Sequence, residues 1–137
     1  SEFETISDPV TIKWLEERLC MLTLWPRPDG YNVLADTDIN TENVRKLAEA
    51  ADMAWDGLKS RDFELFSEGF LNSFHSQVRM FPRMLNPDIE RIIKQYAGMA
   101  RAWKLSGAGG GGYLVMVSEK EIPNTFRLKV RVKELGI

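Results

Sequence analysis

The chain has 137 residues, 44% hydrophobic and 28% charged, enough for one globular domain with a real core and too few for two comfortable ones. A formal net charge of -2 argues against a nucleic-acid surface, because phosphate backbones are met mainly by clustered Lys and Arg. The single cysteine, Cys20, excludes an internal disulfide and a cysteine zinc cluster and fits a reducing, cytoplasmic setting, and no apolar run approaches the roughly 18 residues of a membrane span.

No signal peptide is visible at the N-terminus, and Ser1-Glu-Phe-Glu4, without an initiator Met, reads as the edge of a piece of a longer chain. Asp8-Pro9 supplies a cap and a first-turn proline, predicting a helix through Trp14-Leu15 toward Arg18. The short apolar run Leu19 to Trp25, closed by Pro26-Arg-Pro28, predicts a buried strand. Pro, Asp, Asn and Gly between Pro26 and Asn40 predict an irregular loop, and Asn40 then caps a helix. Its predicted inward face is Val44, Leu47, Ala48, Ala51, Ala54, Trp55 and Leu58.

Asp62 caps a further helix with the stripe Phe63, Phe66, Phe70, Phe74, Val78 and Phe81, ended by Pro82. That stripe is read as core rather than as a cofactor slot. Asn86-Pro87 opens another helix with Ile89, Ile92, Ile93 and Tyr96 inward and Gly98 near its end. Strands are predicted at about Arg101 to Leu105, Tyr113 to Ser118 and Thr125 to Val132. On the last, Arg127, Lys129, Arg131 and Lys133 share one face, as solvated charges do on an edge strand. Segregated helices and strands predict an α+β fold of ferredoxin-like type, an antiparallel four-stranded sheet covered on one face by helices.

The densest signal is Lys104-Leu-Ser-Gly-Ala-Gly-Gly-Gly-Gly-Tyr-Leu-Val-Met-Val117, where five of ten glycines fall in six positions. Three readings are open: a flexible linker, a purely structural tight hairpin, and a loop whose successive N–H groups converge on phosphate oxygens. Strand-like flanks disfavour the linker. The segment satisfies G-x-G-x-x-G, yet a dinucleotide site needs a helix where Tyr113 to Val117 read as a strand. A Walker A loop would end in Gly-Lys-Ser/Thr, and the downstream protein-kinase motifs are missing.

This segment, followed by an apolar strand, resembles the C-terminal glycine motif of the GHMP small-molecule kinases. The order of elements is similar to that family's C-terminal domain over most of the chain. Asn86-Pro-Asp-Ile-Glu90 is similar to the sugar kinase branch, and the four-glycine spelling to the L-fucokinase and heptose kinase group. The resemblance implies phosphoryl transfer from ATP, with Mg²⁺, to a small metabolite, here a sugar. It also implies an N-terminal domain with a P-x-x-x-G-L-S-S-S loop, which this sequence lacks. The expectation is therefore a C-terminal kinase domain over 1–137, inactive by itself, with no nucleic-acid or membrane partner.

Carried over by position, Gly107, Ala108, Gly109, Gly110, Gly111 and Gly112 would face the phosphates, with Ser106 adding a hydroxyl and Lys104 a positive charge. A solvated strand lysine is an equal reading of Lys104. Many relatives have Cys where Tyr113 stands, which leaves that side chain without an assigned role. Ser73 and Gln77, one turn apart, would form a polar lip toward the sugar, against the alternative of solvated helix positions. His75 reads as a helix-flank histidine, and Asp36 and Asp38 as loop acids rather than a metal pair. The competing function is a stand-alone module that holds an anionic metabolite or a protein partner. An apolar surface left bare by an absent domain predicts homodimerisation.

Overall fold

The computed structural model describes residues 7–106 and 109–129, and each of its α-helices begins where a short polar side chain meets a free backbone amide. Asp8 accepts from the Val10 N–H at 3.2 Å to open α1 (Pro9–Glu16). Asn40 accepts from Asn43 at 2.9 Å to open α2 (Thr41–Ser60). Asp62 accepts from Leu65 at 3.1 Å to open α3 (Phe63–Met80), and Asn86 from Ile89 at 2.9 Å to open α4 (Pro87–Tyr96). All four predicted starts are in place. Between α3 and α4, Pro82 starts a 3-10 turn, Pro82–Met84.

The sheet contains β1 (Leu19–Thr23), β2 (Ala102–Leu105), β3 (Tyr113–Val117) and β4 (Phe126–Arg127), in the order β2-β3-β1-β4 with every neighbouring pair antiparallel. β1 and β2 therefore run the same way with β3 between them, the ferredoxin-like arrangement of an α+β fold. Among the described residues, Phe126 and Arg127 pair with β1 at the sheet edge and the Leu128 N–H donates to the Leu19 carbonyl at 3.3 Å; 130–132, Arg131 and Lys133 of the predicted basic strand lie outside the described residues.

Register sorts the strand residues into two faces. Leu19, Ala102 and Val117 are opposite one another and share a core with Trp14, Leu58, Phe66 and Phe70. Cys20, Leu105, Leu114 and Met116 point the other way, into a core with Phe74, Met84, Ile89 and Tyr96. Helical cover thus reaches both faces, because the phenylalanine stripe of α3 contributes Phe66 to one core and Phe74 to the other. Of that stripe, Phe66 and Phe74 are buried, while Phe63, Phe70, Val78 and Phe81 are half-buried against the two cores; Ile89 and Tyr96 of α4 are buried as expected.

The predicted inward face of α2 needs correction. Val44, Ala48 and Ala51 are exposed, whereas Asn43, Ala50 and Gly57 are buried. The helix is turned toward small residues because α3 approaches through its backbone. A Cβ on Gly57 would stand 2.2 Å from the Phe66 nitrogen, and one on Gly69 would stand 2.2 Å from the Ala54 nitrogen. Hydrophobicity chose one stripe, and the possible depth of approach chose the other. No helix among the described residues is long and apolar enough to cross a membrane.

Candidate functional site

The β2–β3 hairpin carries the glycine segment, closed at its base by the Ser106 N–H donating to the Tyr113 carbonyl at 3.0 Å. Gly109, Gly110 and Gly112 have φ of 74°, 72° and 82°, a backbone region that penalises any side chain. Two other segments hold them. The Gly110 N–H donates to the Met84 carbonyl in the 3-10 turn at 3.0 Å, and the Gly112 N–H donates to the Trp25 carbonyl at 2.8 Å. The Leu24 N–H returns a bond to the Gly112 carbonyl at 2.8 Å, so pairing with the end of β1 continues into the loop.

Arg27 completes this anchorage. Its Nε donates to the Gly109 carbonyl at 2.7 Å and its Nη2 to the Ser106 carbonyl at 3.0 Å, spanning the loop from one side to the other. The Tyr31 ring lies against Gly110, where a Cβ would sit 2.5 Å from its Cε1, and the Tyr31 hydroxyl donates to the Arg83 carbonyl at 3.2 Å. Burial pushes the Tyr31 phenol up, opposed by the nearby Arg27 charge. Residues 24–31 thus form a strap over the hairpin. In the sequence this stretch reads as an irregular loop, and nothing local marks Arg27 or Tyr31, since their partners lie far along the chain.

The loop's chemistry follows from this accounting of donors. Amides of Gly110 and Gly112 are bound within the chain, whereas those of Gly109 and Gly111 and the Ser106 hydroxyl donate to no described residue. One guanidinium stands beside them. Two alternate amides, a hydroxyl and a positive charge thus lie at one sheet end, with Gly109 and Gly111 themselves buried and the Arg27 guanidinium bonded to the loop's carbonyls. Gly107 and Ala108 lie outside the described residues. A second demand for glycine is also visible: a Cβ at Gly109 would meet the Met84 Cβ at 2.7 Å, and one at Gly111 the Trp25 carbonyl oxygen at 2.5 Å.

Lys104 and Ser73 come together, away from that loop. Lys104 shares a sheet face with Met21 and Val115, and its side chain lines a cleft with Ser73, Trp55 and Phe70. Burial pushes its ammonium down from the usual lysine range. Ser73 is buried at 4% exposure, so it is not a solvated position. Gln77 does not join this cleft's lining, and its Oε1 is buried without a hydrogen-bond partner among the described residues.

The remaining candidates are placed elsewhere. His75 is exposed, beside the Phe74 ring at 5.5 Å. Asp36 has φ of 62° and pairs with Arg83 at 3.0 Å, while Asp38 accepts from the Asn40 side chain, as loop acids do. Tyr113 is 41% exposed and meets Phe126 edge-on at 6.4 Å. Among the described residues no group of three or more His, Cys, Asp or Glu could hold a metal ion.

The chain is thus a four-stranded antiparallel α+β domain whose β2–β3 hairpin carries an anchored glycine loop. The family described as GHMP kinases C terminal matches residues 54–131, from the middle of α2 through the hairpin and beyond β4. The chain belongs to this family of small-molecule kinases. No curated protein matches it.

Proposed function

We propose that residues 1–137 are the C-terminal domain of an ATP-dependent sugar kinase, which moves the γ-phosphoryl of ATP to a hydroxyl of an L-fucose- or heptose-like sugar. The observation that carries this reading is the anchored glycine hairpin in a chain of the GHMP family. The strap leaves the amides of Gly109 and Gly111 and the Ser106 hydroxyl without described partners, a donor set that suits phosphate oxygens. The segment Ser106 to Gly112 is assigned to the ATP phosphates, with Gly107 and Ala108 included by position in the motif. When bound, ATP supplies the transferred group, and fixed donors lower the cost of the charge spread over its oxygens.

An N-terminal domain brings the main phosphate loop and closes the cleft. Mg²⁺ fits poorly onto this half, which holds no carboxylate cluster among its described residues, and is assigned to the other half and to the phosphates. Lys104 and Ser73, joined in one cleft, are assigned to the sugar side together with Gln77; the charge of Lys104 serves the acceptor more readily than the loop.

The test is ADP release by the full-length protein with ATP and Mg²⁺, offered L-fucose, a heptose or homoserine. Sugar-dependent turnover is expected. Turnover with homoserine alone would overturn the sugar assignment, and no turnover with any acceptor would overturn the kinase reading.

A further inference from the structure

A cleft of about 1000 Å³ lies between α3 and α4 beside the edge strand β2, and it shares no residue with the strap or the glycine loop. Its floor is apolar, built from Phe74, Ile93 and Trp103. Its mouth is positively charged. Arg79 from the last turn of α3 and Lys94 from the last turn of α4 both line it, and neither has an ion-pair or hydrogen-bond partner among the described residues. Glu90 is the only acid among the described lining residues, and the Asp88 just outside it is already engaged by Arg91 at 2.8 Å.

This local charge opposes that of the chain, whose formal net charge is -2. Two free cations from different helices over an aromatic floor are complementary to a dianion on a flat apolar body. A phosphate monoester matches both halves, since its oxygens accept from guanidinium and ammonium together while its ring displaces water from the floor.

We propose that this cleft binds a small aromatic phosphate monoester, at a site separate from the glycine hairpin. The mode is mixed. The ring stacks among Phe74, Ile93 and Trp103, and the phosphate lies between Arg79 and Lys94.

The probe is phenyl phosphate, titrated into the 137-residue chain while backbone amide and tryptophan indole resonances are followed by NMR, with the Trp103 signal assigned through Trp103→Phe. A saturable shift of the Trp103 indole is expected, weakened about tenfold or more in the double variant Arg79→Gln, Lys94→Gln, the loss expected when charged contacts to phosphate are removed. Inorganic phosphate and benzyl alcohol, each carrying one half of the probe, are expected to bind at least about tenfold more weakly. Shifts confined to the amides of residues 109–112 would overturn this site while leaving the hairpin reading intact. So would equal affinity in the double variant, benzyl alcohol binding as tightly as the probe, or no shift at all.

Discussion

The α2–α3 pair and the glycine hairpin both press backbone against backbone through glycine, yet they need the residue for different reasons. Gly57 and Gly69 lie in helices, where glycine costs roughly 1 kcal/mol against alanine. They are used because a Cβ would collide with the Phe66 or Ala54 backbone. Gly109, Gly110 and Gly112 carry positive φ as well, so backbone conformation and space act together there. Absence of a side chain is therefore weak evidence for a ligand until the chain's own contacts have been counted. In the hairpin, that count leaves over only the amides of Gly109 and Gly111 among the described residues.

Breaking the helix pair should produce the largest effect. Gly69→Ala improves helix propensity by about 1 kcal/mol but forces the helices apart, and a net loss of about 2 kcal/mol or more is expected from denaturant unfolding. A neutral or stabilised variant would show that α2 and α3 do not approach so closely. Gly109→Ala comes next, with a cost of about 1–3 kcal/mol from a φ of 74° and the clash with Met84. The same measurement applies, and a loss under about 0.5 kcal/mol would contradict the packing of the loop on the 3-10 turn.

Arg27→Met sharpens the contrast further, because it leaves every glycine in place and removes only the two bonds to the Gly109 and Ser106 carbonyls. A stability loss of about 1 kcal/mol is expected, with faster hydrogen exchange at Gly110 and Gly112 and unchanged exchange within α2 and α3. On the proposed function, the same variant in the full-length protein should also raise KM for ATP. Uniform acceleration of exchange would mean that the strap is part of the global core rather than a local clamp.

The smallest effect concerns Lys104. Burial lowers its pKa in the folded chain, so above the folded pKa and below the unfolded one the unfolded state holds more protons, and stability rises with pH through that window. Lys104→Met should stabilise the chain at pH 7, with the difference shrinking as pH climbs toward the normal lysine range. Unfolding midpoints at several pH values check this, and a difference that grows with pH would reverse the sign.

Local signals in the sequence determined where the helices start, because Asp8, Asn40, Asp62 and Asn86 act on amides two or three residues away. They also determined the α3 stripe, the hairpin and its glycine turn, whose causes lie within a few residues of one another. What only the tertiary structure decided depends on partners far apart in the chain. It turned α2 to bury Ala50 and Gly57 instead of Val44 and Ala51, brought Ser73 beside Lys104, and folded Arg27 and Tyr31 over the glycine loop. Side-chain periodicity records which residues prefer to leave water. It carries no record of how closely two backbones can meet, or of which distant arginine will take up a loop's carbonyls.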